Sequence, residues 1–238
     1  DEFGFLVPDD GSPDLFLSAK EMRKTLHGDR VMVREIGVDR RGRREGTIVE
    51  VLERAVTQLV GRLHADHGIL YVEAENKRIS QDILVPKEGS MNAKAGQVVT
   101  VEIIQQPSKH AQPIGHIIEI LGDYTAPGME IEIALRKYDL PYQFPQEVEK
   151  LSGRLPSKVL KKDLVKREDL RHLPLVTIDG ETARDFDDAI YCERVGKDYK
   201  LYVAIADVSH YVKPGDVLDQ EAFKRGNSVY FPRRVIPM

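Results

Sequence analysis

Residues 1–122 carry one series of strand-like segments twice over, and no other feature limits the possible folds as tightly. The first series is "FGFLVP", "DLFLS", "DRVMVREI" and "GTIVEVLE"; the second is "VGRLHADHGILYVE", "DILVP", "GQVVTVEII" and "PIGHIIEIL". Within each, apolar and polar residues alternate with a period of two between Gly, Asp and Pro turn signals, which is the pattern of half-buried strands. The copies share landmarks as well. Asp14-Leu15-Phe16-Leu17 answers Asp82-Ile83-Leu84-Val85, and Gly28-Asp29-Arg30-Val31 answers Gly96-Gln97-Val98-Val99. A tandem duplication of a five-strand barrel unit is expected, spanning residues 1–57 and 58–122, with the first strand of the first copy missing.

Residues 123–238 read as a third, α+β region, so the chain as a whole is mainly β with an α+β part. "GDYTAPGME" (122–130) is a turn-rich joint. A helical reading follows over about residues 129–172, divided by Pro141, Pro145 and Pro156. The strand "LPLVTID" comes next, and then a hairpin of "DAIYCERV", the turn "GKD" and "YKLYVAIADV". Its second arm is apolar on both faces and is expected to be central in a sheet. "DQEAFKRGNSV" reads as a helix ended by Gly226.

"TIDGETARDFDDAI" (177–190) places Asp179, Asp185, Asp187 and Asp188 within ten residues, beside one base, Arg184. Carboxylates this crowded repel one another unless a cation sits among them or water screens them. An EF-hand fails, because counting from Asp185 its sixth and twelfth positions hold Ile190 and Gly196. A zinc site fails for want of His within the cluster. Hard-cation chemistry remains. Mg²⁺ takes oxygen ligands and is held by a few carboxylates together with substrate phosphate oxygens. The net charge of −4 offers no global attraction to a polyanion, so any nucleic acid would be held by such ions or by local basic patches.

Two basic patches exist. "DRRGRREG" (39–46) sets Arg40, Arg41, Arg43 and Arg44 around Gly42 at a hairpin tip, and residues 154–171 hold seven Lys/Arg against three Asp/Glu. Both can contact phosphates. Phe3, Phe5 and Phe16 put three rings on neighbouring strands of the first copy, where exposed rings can stack on unpaired bases. In the second copy Ile69, Tyr71 and Ile83 stand near the equivalent places, which leaves one aromatic and weaker stacking.

The motifs "EFGFLV" and "DLFLSA" resemble those of cold-shock domains, which implies OB-type barrels that bind single-stranded nucleic acid. "TIDGETARDFDDAIYCE" resembles the active-site motif of the RNase II/RNase R family, hydrolytic 3′→5′ exoribonucleases with an RNB catalytic domain. "YVAIADVSHYV" and "NSVYFPRRVIPM" are similar to that domain's next segments, and two cold-shock-like barrels followed by the RNB region match the family's order. The resemblance implies that Asp179, Asp185 and Asp188 hold Mg²⁺, that the chemical step depends most on Asp187, and that Tyr230 stacks on the 3′-terminal nucleotide. It implies a single-stranded RNA 3′ end as partner, and ribosome-rescue machinery as a further one. In the family the RNB domain runs on well past "VIPM", so this chain is expected to be a piece of a longer protein and inactive alone.

The remaining calls rest on composition. Cys192 is the one cysteine, which excludes an internal disulfide framework and a Cys-rich zinc site, and no disulfide-linked partner is expected. No apolar run approaches a membrane span and no signal peptide opens the chain, so a cytoplasmic setting without a membrane partner is expected. A competing reading is a single-stranded nucleic-acid-binding protein without nuclease activity. Retention of all four aspartates speaks against it, since a binder gains nothing from their mutual repulsion.

Overall fold

The computed structural model describes residues 3–183 and 186–238, and the chain divides into two compact units, one ending at Leu140 and one running from Pro141 to Met238. In the first unit, β1 (Gly4–Leu6), β2 (Leu15–Leu17), β3 (Arg30–Val38) and β4 (Arg44–Glu53) form a sheet in the order β1-β2-β4-β3, with the short helix α1 (Ala19–Met22) between β2 and β3. Strands β5 (Gln58–Asp66), β6 (Ile69–Ala74), β7 (Ile83–Val85), β8 (Gln97–Gln105) and β9 (Ile114–Asp123) close into a barrel in the order β5-β6-β7-β9-β8. Strands β6, β7, β9 and β8 thus repeat the order of β1, β2, β4 and β3. No counterpart of β5 is found in the first sheet among the described residues.

The duplication extends to local geometry. A parallel contact joins β2 to β4 at Phe16–Glu45, and β7 to β9 at Leu84–Ile114. The β3–β4 register slips at Arg30/Val31, Met32/Val33 and Glu35/Gly37; the β8–β9 register slips at Val98/Val99, Thr100/Val101 and Ile103/Gln105. Such bulges increase strand twist, which a small sheet needs in order to coil onto itself. Close approach is also repeated. A Cβ on Gly46 would stand 2.4 Å from Val33 Cγ1, and one on Gly115 would stand 2.4 Å from Val101 Cγ1. Gly28 and Gly96, just ahead of β3 and β8, have φ of 90° and 92°, where any other residue would be strained.

Leu63, Val72, Ile83, Val99, Val101 and Ile117 fill the closed barrel. Along β8, Val98 faces the other way from Val99 and would be exposed if nothing covered the outer wall. Helix α2 (Met129–Lys137) covers it, packing Met129 and Ile133 against Val60 and Val98. Arg136 fastens the helix to β9 through Glu119 at 2.6 Å. The unit therefore extends beyond the boundary read at residue 122. Asp29 fixes the connection between the two sheets: its carboxylate accepts from the Leu26 and Ala55 amides and from Arg54, all at 2.9 Å, and Arg54 also donates to the Pro107 carbonyl of the second repeat. Gln81 completes the joint by donating to the carbonyls of Met22 and Thr25.

The second unit contains α3 (Gln146–Ser152), a 3₁₀ turn (Lys161–Leu164), the hairpin of β10 (Asp188–Val195) and β11 (Asp198–Ile205), and a 3₁₀ turn (Val208–His210). Helix α4 (Val217–Arg225) follows, and then the hairpin of β12 (Val229–Phe231) and β13 (Arg234–Ile236). Asp216 caps α4 by accepting from the Asp219 amide at 2.8 Å, and Gly226 ends it at φ 76°. Three expectations change here. The helical reading of 129–172 holds only at α2, α3 and the first 3₁₀ turn, the prolines having cut it more deeply than expected. "LPLVTID" makes a single bridge, Val176 to Ile190, because Leu175 N–H turns back onto the Leu173 carbonyl and Pro174 has no N–H to give. Among the described residues β11 pairs only with β10, and Tyr199, Leu201, Val203 and Ile205 stand exposed, so the central position expected for it is not seen in this chain. Among the described residues no helix is long and apolar enough to cross a membrane.

Candidate functional site

The first candidate surface lies on β1, β2 and the β3–β4 hairpin. Strand pairing sets Phe5 directly opposite Phe16. The rings of Phe3, Phe5 and Phe16 form one cluster, with centroid separations of 5.9, 5.7 and 5.9 Å. Phe3 and Phe5 are 43% and 51% exposed, so these rings form a surface rather than a core. Alternation explains it. The same strand turns Leu15 and Leu17 inward and Phe16 outward.

The four arginines at the hairpin tip divide into two pairs. Asp39 accepts from the Arg41 and Arg43 amides at 2.8 Å and from Arg43 Nε at 2.7 Å. The Arg43 amide, followed by its guanidinium, holds the Asp39 carboxyl below its usual range. Fixed in this way, the Arg43 guanidinium lies 3.9 Å over the Phe16 ring, a cation–π contact that extends the ring cluster. Arg44 is paired with Glu35 at 2.7 Å across the hairpin and donates to the Pro13 carbonyl. Arg40 and Arg41 make no side-chain ion pair among the described residues, which leaves them to meet phosphate.

The second barrel presents a different version of this face. Register pairs Tyr71 with Leu84, whereas Ile83 is fully buried, so Leu84 and not Ile83 takes the place of Phe16. Tyr71 does not stand alone. His64, its partner across β5–β6, stacks on it at 5.3 Å with an interplanar angle of 16°. Sequence reasoning missed His64, although its alternation with Arg62 on β5 marked both as outward-facing.

The second candidate surface is the acidic loop. Val176 and Ile190 exchange both amide–carbonyl bonds at 2.9 Å, and this bridge closes the base of the loop from Thr177 to Ala189. Asp179, Asp187 and Asp188 all lie within it and are exposed. Asp185 lies outside the described residues. Asp188 opens β10 opposite Ile205, and the Ala206 amide donates to the Asp187 carbonyl at 2.8 Å, so the β10–β11 ladder holds the backbone beneath these two acids. Carboxylate oxygens alone make a donor set that suits a hard divalent cation. Among the described residues no three such groups close on one point.

Tyr230 sits on β12 opposite Val235 and is 47% exposed, so it is not a core residue. Beyond the acidic loop, the basic run 154–171 is partly occupied. Arg167 pairs with Asp207 and Arg171 with Asp169, while Lys158, Lys161, Lys162 and Lys166 make no ion pair among the described residues.

Both surfaces lie in segments that match known domains. Residues 1–51 match the Ribonuclease B OB domain, residues 71–145 the Cold shock domain and residues 167–238 the RNB domain. Ribonuclease R of Acidithiobacillus ferrooxidans is 53% identical over 240 residues, covering all of this chain and 55% of the relative. Ribonuclease R of Escherichia coli (strain K12) is 48% identical over 239 residues, all of this chain and 29% of the relative. The chain therefore spans from under a third to about half of the length of these relatives. The structure of Mycoplasma genitalium RNase R in complex with ribose methylated single-stranded RNA superposes with a TM-score of 0.82 at 24% identity, over 99% of this chain and 38% of that one. In fold, in order of domains and in sequence, the chain is similar along its whole length to part of Ribonuclease R, and its last third matches the RNB domain.

Proposed function

We propose that the complete gene product is a processive, hydrolytic 3′→5′ exoribonuclease that shortens RNA to nucleoside 5′-monophosphates with Mg²⁺. One observation carries this reading: three exposed aspartates share a loop pinned by the Val176–Ile190 bridge, inside the segment that matches the RNB domain. Asp179, Asp185 and Asp188 would hold Mg²⁺, which when bound supplies charge neutralisation at the phosphate and an activated water. The Asp187 carboxylate, on a backbone fixed by Ala206, would orient the attacking water and take up its proton. Tyr230 offers its exposed ring to the last base. The Phe3, Phe5, Phe16 and Arg43 cluster offers a second stacking surface, and Arg40 and Arg41 offer charge to phosphates. Cys192, an exposed free thiol, suits a reducing cytoplasmic setting.

The test is a 5′-labelled oligoribonucleotide incubated with the purified gene product. It should shorten stepwise from the 3′ end with release of nucleoside 5′-monophosphates, stop on EDTA addition, and resume with excess Mg²⁺. Internal cuts, or cleavage that EDTA leaves untouched, would overturn the reading. Tight binding of RNA that stays intact would favour the binding-protein alternative, which rests on the ring cluster alone.

Binding has its own expected signature. Phe5→Ala should weaken single-stranded RNA affinity of this chain by about 1–3 kcal/mol, the contribution of one stacked base. Arg40→Ala and Arg41→Ala should each lower the slope of log K against log salt by about 1. Fluorescence anisotropy at several salt concentrations separates the two effects. Parent-like affinity of Phe5→Ala at every salt would show that bases do not stack there.

A further inference from the structure

An acidic loop that repels itself needs outside anchors, and one of its two visible anchors is held by groups far from it in sequence. The Val176–Ile190 bridge is local to the loop's base. The other anchor is the Ala206 amide on the Asp187 carbonyl, and Ala206 is followed at once by Asp207. Ser209 Oγ donates to the Asp207 carboxylate at 2.8 Å, and the Arg167 guanidinium grips its other oxygen. Arg167, first, and then Ser209 hold this carboxyl below its usual range.

Arg167 is itself held in place. Its Nε donates to the Asp163 carbonyl at 2.9 Å, and its Nη2 lies 3.3 Å from His210 Nδ1. His210 Nε2 in turn lies 3.2 Å from the carboxylate of Asp163, which also accepts from the Leu160 amide at 2.9 Å. Asp163, Arg167, Asp207 and His210 thus form a closed ring of contacts. It ties residues 160–167 to the first residues after β11.

We infer that Arg167, Asp207 and His210 are positioning residues for Asp187, fixing the end of β11 so that Ala206 can hold the Asp187 backbone where the reaction needs it. A purely stabilising role fits the geometry less well. Arg167 and Asp207 are each nearly half-exposed, and ion pairs so open to water add little to folding stability. Position is another matter, because small displacements of a reacting group are costly in rate.

The rate arm of the test rests on the proposed hydrolytic function; the structural arm does not. Arg167→Met and Asp207→Asn should each speed hydrogen exchange of the Ala206 amide at least about 10-fold, while barrel amides and the melting temperature stay as in the parent. In the complete gene product, kcat on single-stranded RNA should fall about 10- to 100-fold with KM little changed. The double variant should be no slower than the worse single one, as expected of groups acting as a unit. Unchanged Ala206 exchange in both variants would overturn the inference whatever the activity. So would kcat within about twofold of an active parent. A parent without exonuclease activity would instead remove the proposed function and leave the exchange result to decide the anchoring alone. Should Arg167→Met fail to fold, the nearly isosteric Asp207→Asn carries both readouts.

Discussion

Asp187→Asn in the complete gene product is expected to slow RNA hydrolysis by about 10²- to 10⁴-fold, the usual loss when a positioned acid–base group is removed. The substitution keeps the shape of the side chain and removes one negative charge. The backbone at this position is held through its carbonyl by Ala206, and that bond survives the change. The side chain is exposed, so folding stability should move by no more than about 0.5 kcal/mol. RNA affinity should also be retained, because the ring cluster on β1 and β2 and the arginines at 40–41 are untouched. The prediction is therefore a split: chemistry lost, binding kept. Single-turnover decay of a labelled oligoribonucleotide gives the first quantity and filter binding gives the second. Cleavage at the parent's rate would remove Asp187 from the chemistry. Equal loss of binding and cleavage would mean that the substitution disturbs the loop as a whole.

The duplicated sheets were legible in the sequence because strand alternation and turn glycines are local signals. Gly28 and Gly96 mark equivalent left-handed turns, and the landmark pairs around Phe16 and Leu84 fall on equivalent strands. What escaped was decided by neighbours distant in sequence. Placing Ile83 near a stacking position missed by one residue, although the Asp14–Leu17 and Asp82–Val85 landmarks already set Leu84 against Phe16. In a strand as short as β7, a one-residue slip exchanges inside for outside, and the pairing of Tyr71 with Leu84 agrees with the landmarks. The four tip arginines look alike in sequence. Asp39 and Glu35 separate them, by drawing Arg43 onto Phe16 and Arg44 across the hairpin. Strand β11 has the composition of a central strand, yet among the described residues its one partner is β10. In the acidic loop the choice of residue types was plain from the sequence. The placing of the carboxylates depends on tertiary contacts that no local pattern encodes.

Arg225→Ala should destabilise the unit from Pro141 to Met238 by about 3–5 kcal/mol, the usual result of stripping one partner from a buried ion pair. The Arg225 side chain is 1% exposed and that of Glu221, its partner at 2.8 Å one helical turn earlier, is 9% exposed. The guanidinium does more than pair. Nη1 donates to the Pro237 carbonyl at 2.9 Å and Nη2 to the Gln143 carbonyl at 2.8 Å, while the plane lies 3.7 Å over the Phe144 ring. One side chain therefore joins α4, the residue after β13 and the segment ahead of α3. Alanine would leave a carboxylate and two carbonyls without their donor, and Phe144 with an empty face. Lysine keeps the charge but cannot reproduce the fork, so Arg225→Lys should recover only part of the loss. The hairpin that carries Tyr230 is fastened to α4 at Pro237, so amides over residues 217–236 should lose protection first, while barrel amides keep theirs. Urea titration monitored by hydrogen exchange measures both units in one sample. A change under about 0.5 kcal/mol, or equal loss in the barrels, would show that Arg225 is not the fastening of this unit.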